Sequence, residues 1–361
     1  MHRMPMRLRK STSVCVSEGD GMIPDFVRLL ASPAYDFLRE NHHLGDRVML
    51  LGLSGSYGYG TNREGSDVDF RGVALQRPSD ILGLTAFEQY ADESTDTVVY
   101  GFNKFVRLLL DANPNSMEVI GLPRDKYLML SPLGEELLRN QTIFLSKRVI
   151  HSFGGYAEAQ LRRLQNAIAR DALPQAQREG HILASATRAL EDYRRKNRDA
   201  AEAEIRLYLD EGRREELEKE IFLDIHASHM GLRDAGGLLE TLHNVLRDYD
   251  KVGHRNHKKD ANHLCKHAMH LVRLLMTATD ILEKHEIITC RQEDLPLLMR
   301  IRNGGFLESD GTMNREFYEV LEMVQRRFHE AADHTTLPDA PDMDAVGRFV
   351  ERVNRASIEI F

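Results

Sequence analysis

The sequence has few cysteines, no long apolar run and no excess of positive charge. Its three cysteines, Cys15, Cys265 and Cys290, lack the spacing of a zinc knuckle or a disulfide framework, which favours a reducing compartment. No apolar run approaches the length of a membrane span, and no apolar segment follows the basic first ten residues. We therefore expect neither a membrane-spanning helix nor a signal peptide, and we predict a cytoplasmic protein.

The charge balance also limits the kinds of partner. The formal net charge is −8 at pH 7, so no basic field covers the whole surface. Binding of nucleic acid would therefore need a local basic patch. At 361 residues the chain is long enough for two domains with substantial cores.

One stretch, residues 48–70, combines a buried strand, a glycine-rich turn and two aspartates. Residues 48–53 form a short apolar run that ends at a glycine-containing turn, which predicts a strand. The turn contains Gly55, Ser56, Gly58 and Gly60. Asp67 and Asp69 then alternate with apolar residues, which predicts a second strand that carries both carboxylates on one face.

This combination suits a site for a polyphosphate and a divalent metal. Glycines let the backbone approach a phosphate closely, and their amides, with the Ser56 hydroxyl, can donate to its oxygens. Two adjacent carboxylates repel each other unless a cation lies between them, and Mg²⁺ prefers one or two carboxylates plus phosphate oxygens. Asp-x-Asp alone is usually a solvated strand face and Gly-Ser alone is usually a turn, but their combination at this spacing favours the functional interpretation.

The motifs Gly-Ser, Gly-Thr and Ser-Asp-Val-Asp, which begin at Gly55, Gly60 and Ser66, resemble the signature of the DNA polymerase β-like nucleotidyltransferase superfamily. Within it, the chain is similar to the predicted nucleotidyltransferases of bacteria and phages, some of which are RNA-repair-associated. The resemblance implies an α+β nucleotidyltransferase fold with a small mixed sheet, followed by a mostly helical C-terminal domain. It also implies an enzyme that moves a nucleoside monophosphate from a triphosphate, ATP by default, to an acceptor hydroxyl with release of pyrophosphate.

The resemblance also gives individual residues expected roles. Asp67 and Asp69 would ligate Mg²⁺ or Mn²⁺. Gly55, Ser56 and Ser66 would bind the nucleotide, with Gly55 and Ser56 on its β- and γ-phosphates.

Further candidates follow on the next predicted strand and helices. The superfamily commonly has a third carboxylate on the following strand, and Asp96 resembles it, as a ligand of the second metal and a general base. A strand-start aspartate without a catalytic role is the alternative. Lys104 and Arg107 share a helix face that either reaches a triphosphate or is simply solvated, and the resemblance favours Lys104. Glu118 would lie in or near the site, or cap a helix.

A second informative stretch, residues 251–275, is rich in histidine, lysine and arginine. On a predicted helix, Lys266, His270 and Arg273 recur at spacings of three and four, which predicts a basic strip that binds phosphate. Zinc is disfavoured because no carboxylate or cysteine completes a ligand set and the basic neighbours repel a metal. A half-buried helix with snorkelling basic ends is the alternative. The run also resembles the C-terminal helix of the narrower group, which supports these three residues as site-facing and nucleotide-binding.

The predicted organisation is a flexible segment at 1–22, a nucleotidyltransferase catalytic domain at 23–143 and a helical domain at 144–361. Within the last, the interleaved charges of residues 189–222 predict an exposed helical hairpin. The acceptor stays open among an RNA end, a small molecule, a protein side chain and a second nucleotide. Alternative functions are a non-catalytic nucleotide or nucleic-acid sensor, a protein-nucleotidylating component of a toxin–antitoxin pair and an oligonucleotide-forming synthase.

Overall fold

A computed structural model of the protein describes residues 26–197, 204–213, 218–228, 230–253 and 261–360. The segment 1–22, predicted to be flexible, lies outside these residues. The chain divides into two compact units. The first runs to Glu158 and also includes Met269–Arg302 and the chain from Tyr318, and the second comprises Ala159–Ala268 and Asn303–Phe317. The first unit therefore takes in segments from both sides of the predicted boundary at residue 144.

The described residues form a mixture of strands and helices. The strands of the first unit are β1 (Val48–Ser54), β2 (Asp69–Ala74), β3 (Gln89–Asp92), β4 (Thr97–Gly101) and β5 (Tyr127–Leu130). The helices that begin before residue 144 are α1 (Phe26–Leu30), α2 (Phe37–Glu40), α3 (Gly55–Tyr59), α4 (Pro78–Leu82), α5 (Phe102–Leu110), α6 (Pro114–Ile120) and α7 (Pro132–Arg139). Those that follow are α8 (Arg148–Ala172), α9 (Gln175–Lys196), α10 (Leu232–Gly253), α11 (Ala261–Lys284), α12 (Leu295–Arg302), α13 (Arg315–His334) and α14 (Met343–Ile360). None of the helices described is both long and apolar enough to cross a membrane.

The five strands make one mixed sheet in the order β3-β4-β2-β1-β5. β2 and β4 are parallel, whereas the other neighbouring strands are antiparallel. All seven residues of β1 are buried, as a continuous apolar run predicts for a strand flanked on both sides. The predicted α+β class with a small mixed sheet is thereby confirmed.

Helices cover the sheet and bring the end of the chain back to it. One apolar cluster joins Phe70 and Val99 of the sheet to α1 and α2, and α5 buries Phe102 and Phe105. The ring of Phe349 in α14 lies 5.9 Å from that of Phe102. These contacts explain why α14 belongs to the unit that contains the sheet.

In the second unit, the prediction of a helical hairpin at 189–222 was wrong at residues 204–211 and 219–222. Instead β6 (Glu204–Glu211) and β7 (Lys219–His226) form an antiparallel pair. The apolar residues alternate with polar ones, so that Ile205 opposite Ile225 and Leu207 opposite Leu223 share one face. From this face, Ile205 is buried and Leu207 is partly buried in a small core with α9 and α10, whereas Leu223 and Ile225 are exposed. The physical reason for the strand is that the period-two apolar pattern of β6 places Ile205 and Leu207 in the core, which outweighs the charge pattern.

Candidate active site

Gly55 and Asp69 lie in direct contact at one end of the sheet. Ser54, the last residue of β1, pairs with Asp69, the first residue of β2, so the carboxylate stands beside the turn that follows β1. Gly55 has a φ of +58°, and a Cβ at this position would lie only 1.7 Å from Oδ2 of Asp69. Glycine is therefore required twice, for its left-handed backbone and for the space that the carboxylate occupies.

The glycine-rich turn itself forms the short helix α3, which places Ser56 one residue from this contact. Gly60 ends α3 in the left-handed conformation, with a φ of +75°. The carbonyl of Ser56 accepts hydrogen bonds from the N–H groups of Gly60 and, at 2.9 Å, Thr61. The carbonyl is thus committed to the helix end, and Ser56, which directly follows Gly55 in the chain, is half-buried.

A tight turn precedes the two aspartates. The Ser66 hydroxyl accepts a hydrogen bond of 2.8 Å from the N–H of Arg63, and the N–H of Ser66 donates to the Arg63 carbonyl at 3.0 Å. The predicted strand begins only at Asp69, so Asp67 lies before it in a segment without regular secondary structure and is exposed. Ser66 therefore shapes the approach to the Asp-x-Asp motif in the structure.

Asp96 lies at the start of the neighbouring strand, where its carboxylate is already paired. It precedes β4 with a φ of 44°, and the parallel register of Phe70 with Thr97 places its backbone level with Asp69. Arg71 donates from Nη2 to the Asp96 carboxylate at 2.9 Å and from Nη1 to its carbonyl at 2.5 Å. Use of Asp96 as a metal ligand or base would require this pair to open.

The residues at this end of the sheet fit a divalent metal only in part. Among the described residues, no three His, Cys, Asp or Glu side chains gather in metal-binding geometry, so Asp67, Asp69 and Asp96 are not brought together as a triad. Two carboxylates two residues apart nevertheless match the preference of Mg²⁺ for one or two protein carboxylates plus phosphate oxygens. Because Gly55 has no Cβ, the Asp69 carboxylate lies against the backbone of the turn where a phosphate would bind.

A buried cluster of polar side chains lies at the other end of α3. The Tyr59 hydroxyl donates to Oε2 of Glu118 in α6 at 2.5 Å, and Nη1 of Arg273 in α11 donates to Oε1 of the same carboxylate at 2.7 Å. The guanidinium carbon of Arg273 lies 3.6 Å from the centroid of the Tyr59 ring, and Nη2 is 2.9 Å from Nδ1 of His270. Residues from α3, α6 and α11 are thus joined by one network.

The electrostatics of this cluster follow from burial and charge. Burial raises the pKa of the Tyr59 hydroxyl far above its ordinary value, and the charges of Glu118 and Asp69 act in the same direction. Burial alone would lower the pKa of Arg273, but the Glu118 carboxylate and the Tyr59 hydroxyl together outweigh it and raise the pKa. Tyr59 therefore stays neutral and Arg273 stays charged. The influence of Asp69 on Tyr59 also links the cluster electrostatically to the Asp-x-Asp motif.

The structure corrects the predicted phosphate-binding strip on α11. Arg273 is completely buried and already bound to Glu118, so it is not a surface cation that awaits a phosphate. His270 is half-buried beside it, and Lys266, one turn earlier, is exposed. The alternative of a half-buried helix describes α11 better, because Arg273 lies among the buried apolar residues of this helix.

Lys104 is also placed away from the Gly55–Asp69 contact. It lies in the first turn of α5, which follows the end of β4 opposite to Asp96. Its Nζ donates to the side-chain oxygen of Gln89 on β3 at 3.0 Å, and Arg107 pairs with Glu88 at 2.7 Å. The structure therefore brings together Gly55, Ser56 and Asp69 but not Lys104.

Sequence reasoning missed two residues next to the site, Tyr59 and Arg71. Tyr59 stands between two glycines of the turn, where an aromatic residue is unusual enough to have been noticed. Arg71 is two residues after Asp69 and shares its strand face, so the period-two pattern placed it beside the carboxylates. Its pairing with Asp96 has no local signal, because the partner lies on another strand.

Comparison with known families supports the nucleotidyltransferase resemblance. Residues 35–178 match the model of RlaP, the RNA repair pathway DNA polymerase beta family. The match covers less than half of the chain but includes Gly55, Asp67, Asp69 and Glu118. No curated protein and no solved structure matches the chain significantly. The match therefore supports a relationship of residues 35–178 to the DNA polymerase β-like nucleotidyltransferases of the RNA repair pathway type.

Proposed function

We propose that the protein is a metal-dependent nucleotidyltransferase. An acceptor hydroxyl oxygen attacks the α-phosphorus of a nucleoside triphosphate, the bond from that phosphorus to the bridging oxygen breaks, and pyrophosphate leaves. The observation that carries the proposal is the contact between Asp69 and Gly55, because it joins a carboxylate to a turn suited to phosphate inside the matched family region. In-line transfer needs these two features side by side.

The residues of the site divide the work between the phosphates and the attacking group. The backbone N–H groups at Gly55 and Ser56 and the Ser56 hydroxyl hold the β- and γ-phosphates, which orients the α-phosphate for attack. Asp67 and Asp69 would hold Mg²⁺ or Mn²⁺, which neutralises charge on the phosphate oxygens. Asp96 accepts the proton of the attacking hydroxyl after its own carboxylate has separated from Arg71.

For the acceptor we propose an RNA end, and ATP is the default donor. The support is the description of the matched family, which names an RNA repair pathway. A sensor without turnover, a protein-nucleotidylating enzyme and an oligonucleotide-forming synthase are distinguished from this proposal by what becomes labelled.

The test is transfer of label from each α-³²P nucleoside triphosphate to RNA, protein or small-molecule acceptors with Mg²⁺ or Mn²⁺. We expect labelled RNA with the native protein and a loss of about 10³-fold in Asp67→Asn and Asp69→Asn, since metal charge neutralisation contributes several kcal/mol and each 1.36 kcal/mol is tenfold. Asp125→Asn, at an exposed position in a short 3-10 helix outside the site, is the matched control and should retain activity.

Each other outcome has a definite meaning. Turnover retained in both Asp67→Asn and Asp69→Asn contradicts the metal assignment. Labelled protein would mean that the acceptor is a polypeptide and not RNA, and labelled oligonucleotide would indicate a synthase. Triphosphate binding without any transfer indicates a sensor. Asp96→Asn should lower turnover without weakening triphosphate binding, and unchanged turnover would remove Asp96 from the mechanism.

A further inference from the structure

The helix α3 is too short to be stable by itself, so its geometry depends on what holds its ends. It spans Gly55–Tyr59, five residues, whereas isolated helices shorter than about 12 residues are marginal in water. Its first residue contacts Asp69, and its last residue, Tyr59, donates to Glu118. The segment assigned to the triphosphate is therefore fixed from outside at both ends.

The anchor at Tyr59 is itself held by a fully buried cation. Arg273 is completely shielded from solvent, donates to the second oxygen of Glu118 at 2.7 Å and stacks its guanidinium on the Tyr59 ring at 3.6 Å. A charge this deep is stable only when it is paired and hydrogen-bonded. The geometry of the three groups is consequently over-determined, because each contacts the other two.

The tautomer of His270 follows from the same network. A guanidinium has no acceptor atom, so Arg273 must donate in its 2.9 Å contact with Nδ1 of His270. Nδ1 therefore carries no proton, and His270 is the neutral tautomer with its proton on Nε2. The guanidinium is fixed between Glu118 on one side and His270 on the other.

We propose that Tyr59, Glu118 and Arg273 are positioning residues that hold α3 in the conformation that binds triphosphate. This inference rests on the proposed function. Helix α11 thereby sets the geometry of a phosphate turn more than 200 positions earlier in the sequence, although none of the three side chains needs to touch the nucleotide. Their loss should weaken triphosphate binding beyond any effect on stability.

The test compares two conservative tyrosine substitutions in the full chain. Tyr59→Phe removes the hydroxyl bond to Glu118 and leaves the ring under Arg273. Tyr127→Phe is the matched control, because the Tyr127 hydroxyl is also buried and donates at 2.6 Å to the carbonyl of Val119. Binding of a non-hydrolysable triphosphate, kcat and KM, and thermal unfolding are measured for both. Arg273→Lys perturbs the network from the other end without substituting any residue of α3.

We expect Tyr59→Phe and Arg273→Lys to raise the Kd of the triphosphate analogue by about tenfold or more and to lower kcat/KM correspondingly, since small misplacements of binding groups cost up to ~10²-fold. Tyr127→Phe should lower Tm as much as Tyr59→Phe and leave Kd unchanged. Equal Kd values in the folded forms of all three variants would overturn the positioning role. A native protein that binds no triphosphate would instead refute the proposed function, and this inference with it.

Discussion

Substitution of Gly55 by alanine is the most direct test of the contact on which the site depends. The added Cβ would lie 1.7 Å from Oδ2 of Asp69, and real Cβ atoms are essentially never closer than 3.0 Å to a neighbouring heavy atom. The carboxylate or the turn must therefore move by about 1.3 Å, the difference between these two distances. The displacement separates the two groups that the proposed mechanism needs side by side.

A matched control separates the effect of backbone strain at Gly55 from the effect of displacing Asp69. Gly65 has a φ of +74° and no heavy atom within 4 Å of its hypothetical Cβ, so Gly65→Ala adds backbone strain alone. That strain costs about 1–2 kcal/mol of unfolding free energy, and Gly55→Ala should cost the same plus the displacement of Asp69. A shift of about 1 Å at a reacting centre lowers kcat/KM by up to ~10²-fold, which is ~2.7 kcal/mol of transition-state stabilisation.

The assay is kcat/KM for nucleotidyl transfer together with urea unfolding of both variants. We expect both to lose stability, but only Gly55→Ala should lose kcat/KM strongly. If the two variants transfer label at comparable rates, the contact between Gly55 and Asp69 does not set the geometry of the reaction. If Gly55→Ala is no less stable than the native protein, the left-handed conformation of Gly55 is itself wrong.

Three further predictions concern stability, each measured as the free energy of unfolding in urea. Asn113→Ala removes the cap that accepts from the N–H of Ser116 and should cost about 1 kcal/mol, and no loss would argue against the cap. Phe105→Ala should cost about 3–5 kcal/mol, because its ring is completely buried under the sheet, and a surface-like cost would contradict that packing. Arg273→Met should cost about 3–5 kcal/mol by leaving Glu118 buried without its cation, and adding Glu118→Gln should recover much of it. Strict additivity of the last two changes would refute the coupling.

Local periodicity was sufficient to predict β1, β2 and β4 of the sheet, but not β3, β5 or the strands of the second unit. β1 is a short apolar run that ends at a glycine-containing turn, and this pattern is typical of a buried strand. In β6, Arg206 and Asp210 stand four apart, as in a helical ion pair, while Ile205, Leu207 and Leu209 alternate as in a strand. The two patterns coexist in the sequence. The strand formed because the apolar residues of β6 lie opposite apolar residues of β7. A window that contains only β6 does not show this pairing.

The residues of the site also differ in whether local sequence was sufficient to predict them. Gly55 and Asp69 were predictable because the motif that carries them is compact and combines features that are individually common but seldom occur together at this spacing. Arg273 was assigned to a surface strip because helical spacing places it near His270 and other basic residues. Its partner Glu118 is 155 positions earlier, so no window of sequence shows that the charge is neutralised inside the protein. Burial of a charge is decided by such a partner and not by periodicity.

The two ends of α3 together explain how a motif of five residues acquires a fixed geometry. At Gly55 the determining fact is an absence, because only a missing Cβ lets Asp69 approach the turn. At Tyr59 it is a hydrogen bond of 2.5 Å to the Glu118 carboxylate, which also accepts from Arg273. The first requirement lies within the matched family region, whereas the second reaches outside it to α11. A chain that kept the motif but lost Arg273 would therefore keep the signature and lose the anchor of α3, the helix that we propose binds the triphosphate.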